Sequence, residues 1–370
     1  MPDLEKQIED LLAEAGGLEH GPVQLAIIER AVDLADSHGD LDLSFEARSS
    51  LVESASFSGR PDVALVAFSW LSAKFDEHPG RFNSYQFLWQ YKWILGFAPD
   101  FPTIGRDQLD ELYDDMKRRY KAEGSTLHAY WTIRRDNAPS LGSDAEGKKA
   151  HAKLMKTAED HLSNCAACVQ DGTVGYLAGI GDDTGALKAA KPIFKGKLTC
   201  AEVPEHTYAN VVLPLIRLGK HEQALEYFRI GYKLIDRNPD FVVQKSMYLV
   251  ALTLTGNLSR AVKLLDRHLP EAIESVNPMW RFEFFLAVRL LLQTLAQNGK
   301  KTVPVRTPKS MNLDTGDAKP TVAALIVWID ARLKELATAF DARNGNKSFA
   351  KRVRKFDELL ACAKPCPLGK

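Results

Sequence analysis

The chain has 370 residues, 45% hydrophobic and 26% charged, enough apolar material for a large core, and no run approaches the roughly eighteen uninterrupted apolar residues of a membrane-spanning helix. Lysine plus arginine equals aspartate plus glutamate at 48 each, so the overall basic excess of proteins that bind nucleic acid or anionic membranes is missing. Five cysteines in so long a chain do not form a secreted disulfide framework, and reduced thiols are expected.

The first stretch, "MPDLEKQIEDLLAEAGG", is acidic and amphipathic, without the basic start and apolar run of a secretory leader, and a cytoplasmic location is expected. Helical periodicity then runs almost throughout, in "GPVQLAIIERAVDLADSHG", "YANVVLPLIRLG" and "EQALEYFRIGYKLI", whereas the alternation of half-buried strands is scarce. The aromatic-rich run from Phe82 to Trp93 puts Phe82, Tyr85, Trp89 and Trp93 on one helical stripe and Phe87 and Tyr91 on another. Such a helix is either buried between neighbours or the floor of a peptide groove. Just beyond it, Asp114 with Arg118 and Asp115 with Arg119 stand at ion-pair spacing. Arg118, Arg119, Arg134 and Arg135 would meet a partner's carboxylates if their helices stack. Residues 298–319, beginning "NGKKTVPVRTPKS", lack periodicity and read as an exposed loop or linker. An apolar helix and a basic amphipathic one, "KSFAKRVRKFDELLAC", follow as a C-terminal cap.

A glycine followed five residues later by alanine, then Leu or Val, recurs at Gly59 and Ala64, Gly181 and Ala186, Gly219 and Ala224, and Gly256 and Ala261. The physical reading is a helical hairpin: glycine closes the first helix with φ above zero, and the small alanine lets the second helix approach. One hairpin cannot bury its apolar face, so neighbours must stack. In "LGKHEQALEYFRIGYKLIDRNPD", with its proline near the expected repeat end, the chain resembles the tetratricopeptide repeat (TPR) family. The resemblance covers residues 167–275 and, more loosely, 43–80. It implies an all-α, right-handed α-solenoid of TPR-like hairpins over residues 1–297, the linker at 298–319, and capping helices and tail over 320–370. The lysine and asparagine clamp used by chaperone-tail-binding members of that family has no counterpart here. The segment containing "CAAC" also resembles a group of bacterial repeat proteins, which implies no activity.

Cys165 and Cys168 form a CxxC pair, and the next cysteine is Cys200. Cys168 and His206 each stand thirteen residues before a turn glycine, Gly181 and Gly219, so they occupy equivalent positions in consecutive first helices, whose axes pack roughly 8–10 Å apart. Cys165, Cys168, Cys200 and His206 therefore have the composition of a closed structural zinc site, one ion per chain, with helix N-termini favouring the thiolates. His161 competes with His206 as the fourth ligand. A redox pair and unliganded thiols are the other two readings. Cys362 and Cys366 offer only two donors near the chain end and read as free thiols.

No GxGxxG, phosphate-binding loop, HExxH or nucleophile elbow is present. The expectation is a non-enzymatic scaffold that binds a protein or peptide on its concave, first-helix surface, with zinc pinning two central repeats and no nucleic-acid or membrane partner. A bacterial peptide-sensing regulator that controls a partner protein is the alternative. Arg217, Asn210 and Arg134 are the expected contact residues of the concave face.

Overall fold

The structure, a computed structural model, describes residues 2–313 and 319–368. Among the described residues there are seventeen α-helices, no β-strand, and two isolated bridges, Cys200 with Val203 and Thr302 with Thr321. Among the described residues no helix is long and apolar enough to cross a membrane. The chain divides into two compact units, residues 1–133 with 153–163 and residues 134–152 with 164–370.

The first unit contains α1 (Pro2–Gly16), α2 (Pro22–His38), α3 (Leu41–Phe57), α4 (Pro61–Glu77), α5 (Ser84–Phe97) and α6 (Arg106–Ala122). Successive helices pack on one another from α1 to α4, and α5 lies on α3, α4 and α6. The aromatic run of α5 is mainly core. Phe87 and Tyr91 are buried, the Phe68 ring meets Tyr91 edge-on at 4.7 Å, and Phe82 stacks on Phe45. Tyr85 remains about half exposed. Asp115 pairs with Arg119 as the spacing predicts, at 2.8 Å, but Arg118 also turns to Asp115 rather than to Asp114. Arg119 is buried and reaches Asp76 at 2.6 Å as well, so its guanidinium is consumed inside the unit. Residues 153–163 are tied in by Asp160, whose carboxylate accepts hydrogen bonds from the Ser125 hydroxyl and the Thr126 N–H.

The chain changes unit within α7 (His128–Asp136) and α8 (Asp144–Leu154). The second unit continues with α9 (Ala166–Gly179), α10 (Asp183–Phe194), α11 (Glu205–Arg217), α12 (His221–Ile235), α13 (Val242–Leu254), α14 (Leu258–Glu274), α15 (Pro278–Gln297), α16 (Val322–Asn344) and α17 (Ser348–Phe356). The first helices α9, α11, α13 and α15 pack in that order as one layer. Each second helix, α10, α12 and α14, lies on its own partner and on the next first helix. One continuous core runs from Val174 to Phe349 between the layers. The C-terminal helices extend the stack, α16 on α15 and α17 on both.

The turns explain the hairpins. Gly181, Gly219 and Gly256 have φ of 83°, 73° and 73°, the left-handed region where a Cβ is penalised. In each turn the following N–H reaches back to a helix carbonyl: Asp182 to Leu177, Lys220 to Leu215 and Asn257 to Leu252, at 2.8–2.9 Å, closing the helix C-terminus. Ala186, Ala224 and Ala261 are fully buried where the paired helices approach. Gly59 and Ala64 repeat the arrangement in the first unit, with φ 69° and a buried methyl. Gly299 makes the same turn after α15, with φ 73°, but Pro304 stands at the alanine position, and the chain continues extended instead of helical.

That extended stretch corrects the expectation of an exposed linker. Val303, Val305 and Met311 are buried in the main core, and the backbone pairs Val303 with Pro320 and Val322 with Lys301. The alternation Val-Pro-Val puts apolar side chains on one side of an extended strand, a period of two that a search for helices passes over. Residues 314–318 of the expected loop lie outside the described residues. The C-terminal tail is also engaged: the N–H groups of Lys364 and Cys366 donate to the carbonyls of Leu254 and Thr255 at the end of α13, satisfying acceptors that a helix end leaves open.

Candidate metal centre

Cys165 is the N-cap of α9, and its sulfur accepts the Cys168 N–H at 3.3 Å. An N-cap followed by one helical turn carries the CxxC pair back on itself, and the two Sγ atoms lie 3.1 Å apart. Cys200 comes from the loop between α10 and α11, where a tight turn pairs the Cys200 N–H with the Val203 carbonyl at 3.0 Å. The Sγ atoms of Cys165, Cys168 and Cys200 all lie within 4.8 Å of one another, and all three residues are exposed. Zn–S bonds of about 2.3 Å in a tetrahedron separate sulfurs by about 3.8 Å, so these three thiols lie close enough together to hold a metal ion.

What lies beneath the thiols is thin. Ala167, Ile193 and Val203, with Leu198 against them, form a small cluster separate from the main core. Three buried residues contribute only a few kcal/mol of apolar burial, so the loop that carries Cys200 has little else to hold it.

The thiols are electrostatically unequal. Desolvation, the largest single influence on Cys165, pushes its thiol up, but hydrogen bonds from the Cys168 side chain and N–H, and from Cys200, outweigh it and hold Cys165 below the ordinary thiol range. Cys168 is raised well above that range, first by desolvation and then by its two thiol neighbours. Cys165 is thus more readily ionised than Cys168, and a bound divalent ion stabilises the thiolate forms of a cluster like this one.

His206 stands in the first turn of α11. Its Nδ1 is 3.9 Å from the Asp171 carboxylate and its Nε2 3.6 Å from Glu202, and its ring meets Phe241 edge-on at 5.1 Å. The group of mutually close donors comprises the three sulfurs without it. The repeat register sets His206 level with Cys168; in the structure His206, Thr207 and Asn210 lie against Asp171, one helical turn beyond Cys168 on α9. Asp171 accepts from the Thr207 hydroxyl at 2.6 Å and from the Asn210 amide. Burial pushes the Asp171 carboxyl up, against the pull of His206, Thr207 and Asn210. Asp171 was missed in the sequence, although a carboxylate three residues beyond Cys168 was there to be read. His161, in the other unit, stacks its ring on Tyr85 at 6.4 Å.

The residues expected to line a concave binding face are held within the unit. Arg217 bonds Asp183 at 2.6 Å and the Ala178 carbonyl at 2.7 Å, Arg134 bonds Glu146 at 2.6 Å, and Asn210 is bound to Asp171. Arg135 is fully buried against Asp136 and Thr173. Apart from Arg135 with Asp136, which share α7, these contacts tie one helix to another. Cys362 and Cys366 pack against the main core and belong to no cluster of metal donors among the described residues.

Comparisons with known proteins add little. No family profile matches the chain, and no curated protein does. Among solved structures, the crystal structure of the P58(IPK) TPR domain is similar to 97% of this chain and 98% of its own, at 12% identity and a TM-score of 0.25.

Proposed function

We propose that this chain is a non-enzymatic protein-interaction scaffold of TPR-like helical hairpins, in which Cys165, Cys168, Cys200 and His206 hold a structural zinc ion. The observation that carries the metal site is the convergence of three thiols from two separate segments on a cluster of only three buried residues. Joined by a metal, these thiols tie the start of α9 to the loop entering α11, which the apolar contacts alone hold weakly. His206 would supply the fourth ligand, with the Asp171 carboxylate, 3.9 Å from its Nδ1, as the orienting partner common to metal-bound histidines. The scaffold reading rests on the stacked hairpins themselves, an architecture whose layers offer long surfaces for a peptide or protein. A cytoplasmic location suits reduced thiols.

Elemental analysis of protein purified without added metal tests the site: about one zinc per chain is expected. His206→Ala should lower the zinc content while His161→Ala leaves it unchanged; the reverse would assign His161. The 3.1 Å approach of Cys165 to Cys168 favours one other reading, a dithiol that loses two electrons and two protons to form a disulfide. Metal-free native protein that forms this bond under mild oxidation would establish the redox pair in place of zinc.

A further inference from the structure

Away from the thiols, two rows of basic side chains face each other across a cleft of about 820 Å³ between α12 and α14. Arg229, Lys233 and Arg237 recur every fourth residue along α12 and just past its end. Arg260, Lys263 and Arg267 recur at spacings of three and four along α14. Both patterns put a row on one helix face. All six side chains belong to exposed residues. The single carboxylate lining the cleft, Asp236, is paired with Arg267 at 2.7 Å. Among the described residues no ion pair engages Arg229, Lys233, Arg237 or Lys263.

The chain as a whole is neutral, so this concentration is local. Like charges at these spacings repel and destabilise the helices that carry them by tenths of a kcal/mol each, an arrangement that an anion bound between the rows reverses. The walls cannot readily splay apart. Tyr232 on α12 bonds His268 on α14 at 2.8 Å, His268 bonds Glu271 at 3.0 Å, and fully buried Lys245 joins Glu271 to the Asn238 carbonyl. The floor is apolar, formed by Phe228, Leu252 and Leu264.

We infer that this cleft binds an acidic peptide segment in which carboxylates alternate with apolar side chains, the carboxylates on the two basic rows and the apolar groups over the floor. Each row is about 12 Å long at 1.5 Å per residue, the span of about four residues of extended peptide. A single-stranded nucleic acid would call for open aromatic faces on which to stack its bases; here Phe228 is buried and Tyr232 is engaged with His268. The inference rests on the scaffold reading and gives the partner its chemistry, but it places that partner on the second helices, away from the first-helix layer.

The test uses the full chain and a fluorescently labelled peptide of repeating Glu-Leu-Glu, with its Gln-Leu-Gln counterpart, a single-stranded oligonucleotide and inorganic phosphate as comparisons. Binding of the acidic peptide is expected, weakening as salt rises, because the contacts are charged and exposed. Lys233→Gln with Lys263→Gln should weaken it roughly tenfold or more while the melting temperature stays the same or rises, since repulsion is relieved. Three outcomes would overturn the inference: equal affinity for the Gln peptide, undiminished binding by the double variant, or tighter binding of the oligonucleotide or phosphate. Failure here leaves the scaffold reading standing if the native protein still captures a partner that the double variant also retains; a native protein that captures none defeats the scaffold reading itself.

Discussion

The two groups of cysteines in this chain have different fates. Cys165, Cys168 and Cys200 converge, exposed, on a cluster of three buried residues. Cys362 and Cys366, four residues apart, lie partly buried on the main core, the Cys366 N–H bonded to the Thr255 carbonyl at the end of α13. The same side chain is thus free to act as a metal donor where apolar burial is scarce and packs as a small apolar group where it is plentiful. What separates the two is the amount of core beneath them.

The largest effect should come from breaking the central group. Cys200→Ser is expected to abolish most zinc binding and to destabilise residues 195–204 by about 3 kcal/mol or more, read by hydrogen exchange in that loop with and without a chelator. An unchanged exchange rate would mean that the three buried residues suffice and that the comparison is wrong.

Acid should separate the metal site from a carboxylate site in the other unit. Zinc requires deprotonated thiols, so zinc is expected to leave as pH falls below neutrality. The Asp160 carboxyl behaves differently. Burial raises it, but hydrogen bonds from Ser125, Thr126 and Leu162 together bring it down from 3.8 to about 2. A depressed folded pKa contributes stability that is fully present above the unfolded value and lost as pH falls through the folded one. The first unit should therefore keep that contribution until pH drops from about 4 toward 2. Metal content and circular dichroism followed over one acid titration would show two separate events, the zinc loss first.

A smaller effect is expected at the tail. The Asn257 amide donates to the Cys366 carbonyl at 2.9 Å and its oxygen accepts the Leu368 N–H at 2.9 Å. Asn257→Ala should cost about 1–2 kcal/mol and open residues 363–368 to proteolysis, with zinc content untouched. The smallest is Cys362→Ser, expected within about 1 kcal/mol of the native protein because only a partly buried sulfur is exchanged. A loss of zinc in that variant would erase the distinction between the two groups.

The hairpins were legible because their signals are local. A glycine whose φ must be positive and an alanine that must be small are requirements of two or three residues and one helix contact, so Gly181, Gly219 and Gly256 announced their turns, and Cys165, Cys168 and Cys200 stood out as a donor set. The extended segment at Val303 and Val305 was not legible to a search for helical period, because its alternation spans too few residues to be distinguished from a loop. Nor was the engagement of Arg217 and Asn210, which on paper look like solvated residues of a helix face.

The sequence by itself determined that the chain is helical, where the hairpin turns fall, and which side chains are able to bind metal. Tertiary structure alone decided that Asp171 meets Thr207 and Asn210, that Arg135 is buried, and that the basic rows of α12 and α14 confront each other over an apolar floor. The reason is geometric. Periodicity specifies which face of a helix is apolar, but neighbouring helices still slide and rotate by a fraction of a turn as their side chains interlock. A shift of three residues, about 4.5 Å along the axis, exceeds the length of a hydrogen bond, so it changes which side chains meet without altering the pattern that placed them on the helix.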